Sequence, residues 1–260
     1  MSPSPYRQTT GRAPARRQRT TGTSTDTSVR RVLFLASSAW LGGANRFLIT
    51  TGKELLHRGI ASGIVFLSNG PAIAAARRAG MEVSTCPIQP PDLARPLPSA
   101  IGLVRTLRLL RRATPDVVHA NDVDAARALA VACRRTRVPL VCHVHKPEPL
   151  TDREIEWAFR RLPKPQVIID VDRGHHDLNA RVLRRVLPTV RHALLYNGID
   201  LAEFTQGAKP RSGARRVGCV ANLLRVKRHE DFLDMAARLA GRHPDVEFWM
   251  IGDGSIDPNG

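Results

Sequence analysis

The sequence predicts an α/β protein: a doubly wound, parallel-sheet domain of Rossmann-like type, followed by the first βαβ unit of a second domain of the same kind. Three observations predict it. Short runs rich in Val, Ile and Leu alternate with helical patterns from residue 31 onward. Those runs are apolar on both alternating sides, as strands covered by helices on both faces must be. The alternation breaks at a Gly/Pro/Ser/Lys stretch after residue 204 and then restarts, which marks a linker between domains.

Residues 1–29 come first. They hold Ser, Thr, Pro, Gly and Arg with a single acid, Asp26. Such a segment cannot bury enough apolar surface to order itself, so a disordered basic tail is expected. Its Arg and Ser content also suits an organelle transit peptide, but the apolar face of one is missing. Strands are then expected at 31–36, 62–67, 82–86, 116–119, 140–145, 166–171 and 192–196. Helices are expected at 44–57, 72–79, 99–112, 123–135, 152–162 and 175–187. Each crossover should be right-handed, and ligands should gather at the carboxyl ends of the strands. The first domain is expected to span 30–200 and the linker 201–214. In the part-domain 215–260, strands at 216–221 and 246–251 flank a helix at 227–242. One βαβ unit exposes too much apolar surface to stand alone, so that domain is expected to be incomplete or completed by another chain.

Composition narrows the function classes. The 260 residues carry 40 Lys+Arg against 23 Asp+Glu, a net charge of +17, which raises the question of nucleic acid. The arginines are spread over every segment, aromatics are only 5% of residues, and single-strand platforms need surface aromatics to stack bases. No nucleic-acid partner is expected; attraction to anionic ligands or lipid is. No apolar run approaches the 18 or so residues of a membrane span and no secretory h-region opens the chain, so a cytoplasmic protein is expected. Cys86, Cys133, Cys142 and Cys219 lie far apart without CxxC spacing and read as buried, reduced thiols.

Several residues carry chemistry. In "LASSAWLGGANRFL" an apolar strand runs into Gly42 and Gly43 and then a helix. Free amides at a helix start can meet a diphosphate oxygen, although the spacing matches neither GxGxxG nor GxxxxGKS. The alternative is that both glycines permit tight strand–helix packing. His145 ends the strand "PLVCHVH", where an open sheet puts its ligands. His143 shares its side of the strand by period-two alternation. With Cys142 a zinc site is conceivable there but lacks a fourth ligand. His119 ends the neighbouring strand and reads as a structural cap. Lys227 and Arg228 open a helix as an ordinary solvated start, and Arg105, Arg108, Arg111 and Arg112 form a basic helix face beside Leu103, Leu107 and Leu110. That face is either solvated or a contact for anionic membrane.

Five motifs in order, "WLGGANRFLITTGKELLHRGI", "PDVVHANDVDAARALA", "PLVCHVH", "LLYNGIDLAEF" and "VANLLRVKRHEDFLDMAARLAGRHPDVEFWMIGDG", resemble the N-terminal portion of a GT-B glycosyltransferase of the retaining group called family 4. The resemblance covers about residues 31–254. It implies two Rossmann-like domains facing across a cleft, acceptor on the first and nucleotide-sugar donor on the second, and a retaining transfer to a hydroxyl acceptor (a sugar, a lipid-linked group or a small molecule). It implies no cofactor beyond the donor as co-substrate and no metal. By resemblance, His145 is the catalytic histidine of the cleft, Asn45, His143 and His119 are acceptor-side or cleft residues, and Gly42, Gly43 and Lys227 meet the donor diphosphate. The family often has an arginine where this chain has Asn222, and Arg225 is the candidate substitute. Asn197, Gly198 and Asp200 match the segment that leaves the first domain, where Asn-Gly tolerates left-handed backbone. The resemblance places an E-x7-E motif of the family later in the second domain than Gly260, so little transfer is expected of this chain by itself. A non-catalytic binding module and a GT-B-like sugar-nucleotide epimerase are the alternative functions.

Overall fold

Seven parallel strands in the order β3-β2-β1-β4-β5-β6-β7 form the main sheet. The computed structural model describes residues 29–92, 94–146, 149–204 and 215–252; the expected basic tail and most of the expected linker fall outside them. In chain order the elements are β1 (Arg31–Ala36), α1 (Gly43–His57), β2 (Ala61–Phe66), α2 (Ala72–Arg78), β3 (Glu82–Thr85), α3 (Pro96–Ala113), β4 (Val117–Ala120), α4 (Val123–Thr136), β5 (Leu140–Val144), α5 (Asp152–Phe159), β6 (Val167–Asp170), α6 (Arg173–Val186) and β7 (Arg191–Leu194). Every expected strand and helix of this domain forms, with ends displaced by up to three residues.

The chain steps outward from β1 to β3, then crosses back and steps the other way from β4 to β7. With right-handed crossovers, that reversal puts α1 and α2 on one face and α3–α6 on the other. The two cores follow. Val32, Phe34, Ile64 and Phe66 meet Phe47 and Leu48 of α1 and Ala72 and Ala76 of α2. Leu33, Leu35, Val118, Cys142 and Ile168 meet Leu110, Leu129, Ile155 and Leu183. Burying a Phe or Leu side chain is worth roughly 1.5–3 kcal/mol, and Phe34, Phe66, Leu35 and Leu129 are all fully enclosed. The reversal between β1 and β4 opens a crevice at their carboxyl ends, where this class of sheet binds ligands.

Local chemistry sets the boundaries. Asp122 and Asp172 cap α4 and α6 by accepting from Ala125 N–H and His175 N–H, and Thr151 and Glu154 form a reciprocal capping box on α5. The helix α3 begins at Pro96, three residues before its expected start, because proline's fixed φ suits a first turn. It stops where Thr114 turns left-handed, at φ 41°.

Two expectations of residue setting change. Cys133 and Cys142 are buried, but Cys86 and Cys219 are only half-buried, and all four are free thiols. Burial pushes the Cys133 thiol up to about 12 and the Cys142 thiol upward as well, so both are poor nucleophiles. Among the described residues, no helix is long and apolar enough to cross a membrane.

In the second unit, β8 (Arg215–Val220) and β9 (Val246–Ile251) pair in parallel around α7 (His229–Ala240). Val220, Leu233, Trp249 and Ile251 are exposed there, the uncovered apolar surface expected of one βαβ unit. The expected helix start at Lys227 is corrected: Arg225–Lys227 form a 3-10 turn, and α7 begins at His229 because Arg228 takes φ 55°.

Candidate active site

The crevice between β1 and β4 contains a cavity of about 410 Å³, lined among others by Ser37, Ser38, Asn45, Asn121, Asp122, His145, Lys146 and Trp157. Its wall is tied together by side chains. Asp122, at the end of β4, accepts from Ser37 N–H at 3.0 Å and Ser37 Oγ–H at 2.7 Å, joining the β1 loop to the start of α4. Burial raises the Asp122 carboxyl, although these same donors pull the other way. Asn45 Nδ2 donates to the Ser38 and Trp40 carbonyls at 2.8 and 2.6 Å and Asn121 Nδ2 donates to Asn45 Oδ1 at 3.3 Å. The loop that carries the glycines is thus strapped from inside by Asn45. Across the cavity mouth Lys146 pairs with Glu154, whose carboxyl is held low chiefly by that hydrogen bond.

Two polar atoms of this wall are buried and find no hydrogen-bond partner among the described residues: His145 Nε2 and Asn121 Oδ1. Buried polar atoms in native proteins nearly always have partners, so both are exceptions within residues that line the cavity.

Behind His145 stands a column of rings. His143 is 4.2 Å from His145, centroid to centroid, and His119 Nε2 lies 3.1 Å from His143 Nδ1. Phe47 of α1 packs on both His143 and His145, and Phe34 packs on His119. Desolvation lowers His119 and His145 to about 4 and His143 further. All three imidazoles are neutral at pH 7, so each nitrogen offers either an N–H or a lone pair and no charge.

The placement of the expected residues follows. His145 and Asn45 share the crevice cavity. His143 does not reach it: its side chain is 0% exposed, because the alternation that puts it on His145's side of β5 also puts it beneath Phe47. His119 sits deeper in the same column. The conceivable zinc site with Cys142 is not assembled, since Cys142 belongs to the opposite face and its thiol points to the Asp122 carbonyl at 3.8 Å.

Gly43 lies in a neighbouring cavity of about 560 Å³ together with Arg46, Lys53, Asn197, Gly198 and Asp200. Lys53 pairs with Asp200 at 2.9 Å, fastening the exit segment to α1. Asn197 and Gly198 tolerate left-handed backbone but do not use it here, since neither has a positive φ. Tight packing does not explain the glycine pair. A Cβ on Gly43 would meet nothing within 4 Å, and one on Gly42 would touch only the Trp40 ring, at 3.4 Å. Gly42, at φ −88° and ψ −178°, begins α1 without a side-chain cap. Arg225 and Lys227 lie in the second unit, on its 3-10 turn.

Ser37, Asn121, Asp122, Lys146 and Trp157 were not singled out from the sequence. "HANDVD" did carry a usable signal: polar residues directly after an apolar strand, with an aspartate at the N-cap of the next helix.

A model of Glycosyltransferase Family 4 matches residues 41–203. This chain belongs to glycosyltransferase family 4. Solved structures agree in fold. Alr3699/HepE of Anabaena, crystallised with UDP-glucose, is 20% identical over 88% of this chain and 62% of its own, with a TM-score of 0.67. A glycosyltransferase of Rickettsia africae is 12% identical over 86% of this chain and 69% of its own, at 0.60. The lipopolysaccharide outer core galactosyltransferase WaaB is 17% identical over 86% and 61%, at 0.54. The chain therefore spans under two thirds of the length of HepE. No curated protein matches it. The seven-stranded parallel sheet of this family 4 chain is the Rossmann-like architecture that the five motifs imply.

Proposed function

We propose that the chain belongs to a retaining glycosyltransferase that moves a sugar from a nucleotide-diphosphate donor to a hydroxyl acceptor, and that the cavity at the carboxyl ends of β1, β4 and β5 receives the acceptor. The observation that carries this reading is the cavity itself, whose 410 Å³ falls in the range of small-molecule sites and whose lining gathers Ser37, Ser38, Asn45, Asn121, Asp122, His145 and Lys146. A sugar or other polyol supplies hydroxyls that both donate and accept, as a wall of hydroxyl, amide, carboxylate and imidazole groups requires. The neutral imidazole of His145 suits it to orient a hydroxyl or the transferring sugar rather than to neutralise phosphate.

The donor diphosphate would meet Gly43, whose flank is open, and Lys227 and Arg225 of the second unit, whose cations balance the charge that grows as the leaving group departs. UDP-glucose bound to the related HepE supports a nucleotide-sugar donor. No cofactor or metal takes part in the transfer on this reading: positioning and diphosphate stabilisation supply the catalysis.

Saturation-transfer NMR of the 260-residue chain against a panel of sugars and polyols tests the site. At least one class should receive saturation, and His145→Ala should weaken it by up to about tenfold, the worth of one net hydrogen bond. An unresponsive panel, or binding that His145→Ala leaves unchanged, sinks the assignment.

The exposed face of α3 favours a peripheral setting at the cytoplasmic surface of an anionic membrane. Leu97, Ile101 and Val104 are 70%, 46% and 46% exposed, and Arg105, Arg108 and Arg112 stand on the same helical stripe, all exposed. Apolar residues flanked by arginines are what an interfacial helix presents to lipid. The chain should co-sediment with phosphatidylglycerol vesicles and not with phosphatidylcholine ones. Arg105→Glu with Arg108→Glu should reduce binding by about 30-fold or more, at about 1 kcal/mol per basic residue lost. Equal recovery with both lipids, or none with either, ends the idea.

A further inference from the structure

At the sheet edge away from the crevice, a second polar cluster joins β6, α6 and β7. Asp170 ends β6 with its side chain 1% exposed, His176 stands in the first turns of α6, and His192 comes from β7. One oxygen of each imidazole–carboxylate contact is the same atom: Asp170 Oδ2 lies 2.5 Å from His192 Nε2 and 3.6 Å from His176 Nδ1. The three donor atoms all lie within 4.8 Å of one another.

We propose that Asp170, His176 and His192 bind a divalent transition-metal ion, with zinc the best-fitting occupant. Two features argue for an ion rather than an ordinary buried ion pair. First, His176 Nδ1 is buried, aimed at the cluster, and without a hydrogen-bond partner among the described residues. Second, the carboxylate is pre-oriented from behind. Leu150 N–H donates to Asn179 Oδ1 at 2.7 Å and Asn179 Nδ2 donates to Asp170 Oδ1 at 2.9 Å. That leaves Oδ2 for the cluster, the kind of outer support that metal ligands have.

The donor set selects the ion. Two imidazoles and one carboxylate suit zinc and its first-row neighbours, while magnesium and calcium prefer oxygen. Ligand atoms around a tetrahedral zinc stand about 3.3 Å apart, given bonds of about 2.0 Å. From Asp170 Oδ2, His176 is already near that separation, whereas His192 has to draw back by about 1 Å and the two rings, stacked at 23°, have to turn so that their lone pairs converge. Three protein ligands leave a fourth position for water. The ion would pin the last two strands and α6 together, apart from the transfer chemistry.

The test is cobalt(II) titration of the metal-free 260-residue chain, followed by zinc competition. One cobalt per chain should bind with visible d–d absorption, and zinc should bleach it. His192→Gln should abolish the band and His176→Ala should weaken affinity at least tenfold, while His145→Ala retains it. His176 is the more exposed ring, so His176→Ala decides the matter if His192→Gln does not fold. Absence of the band, equal affinity in His176→Ala, or loss of the band in His145→Ala alone would overturn the proposal.

Discussion

Lowering the pH from 7 to 4.5 should strip the first domain of several kcal/mol of stability, and the histidine column should be the main cause. His119 and His145 are pushed down to about 4, and His143 lower still, because burial among Phe34, Phe47 and one another penalises the charged form. Unfolded, each titrates near 6.5. Between 6.5 and about 4 the unfolded chain therefore holds protons that the folded chain does not, and stability falls as protons are added. The contribution is fully present above 6.5 and is lost as pH falls through about 4. One pKa unit is worth 1.36 kcal/mol, so over the two units between pH 6.5 and 4.5 each ring contributes ~3 kcal/mol at most. That is a large part of a typical 5–15 kcal/mol. Asp122 works in the opposite direction, since burial raises its carboxyl and acid relieves that penalty, but it is one group against three. Thermal melts between pH 7.5 and 4.5 should show a steep decline in Tm beginning near 6.5. A His119→Asn/His145→Asn double variant should decline less steeply, even if its neutral Tm is lower. A flat profile, or an unchanged slope in the double variant, would refute the account.

The same column shows how far the sequence could be read. Period-two alternation was enough to place His143 and His145 on one side of β5. It could not show what lay across from them, because Phe47 arrives from α1, about a hundred residues away, and His119 through strand order. Only strand order makes β4 the neighbour of both β1 and β5, and that order turned a cleft candidate into a buried ring. Strand and helix identities were legible for a local reason: apolar period and capping residues are contiguous in sequence. The start of α7 was missed because Arg228 adopts a left-handed φ that arginine rarely takes. The cavity wall was half legible. His145 and Asn45 sit in recognisable motifs, whereas Trp157 reaches the cavity only through the packing of α5 on α4. The Asp170, His176 and His192 cluster is assembled from three elements spread over 22 residues, with no motif spacing to announce it.

The glycines of the β1 loop lead to the second large effect, which falls on a different glycine. Gly70→Ala should destabilise the domain by roughly 1–3 kcal/mol, the usual cost of forcing extra volume into packed structure. An added Cβ there would lie 2.5 Å from the Ala39 carbonyl oxygen and 2.8 Å from its carbon. Both are backbone atoms in a fully buried residue, so the clash cannot be relieved by turning a side chain. Ala39 is also anchored from both sides, by Ala72 N–H donating to its carbonyl at 2.9 Å and by its own N–H donating to Ser68 Oγ at 3.1 Å. Moving it shifts Ser38 and Trp40, whose carbonyls hold Asn45, and so distorts the crevice cavity. Gly43→Ala should behave in the reverse way. Its Cβ enters open space, and alanine is favoured over glycine in a helix by up to about 1 kcal/mol, so Tm should hold or rise. If Gly43 is glycine so that a donor phosphate can approach its amide, the same substitution should weaken nucleotide-sugar binding at undiminished stability. Paired melts and titrations separate the cases. A Gly43→Ala chain that melts as early as Gly70→Ala would return the glycine pair to a packing role, and one that binds sugar nucleotides as tightly as the parent would remove Gly43 from the donor site.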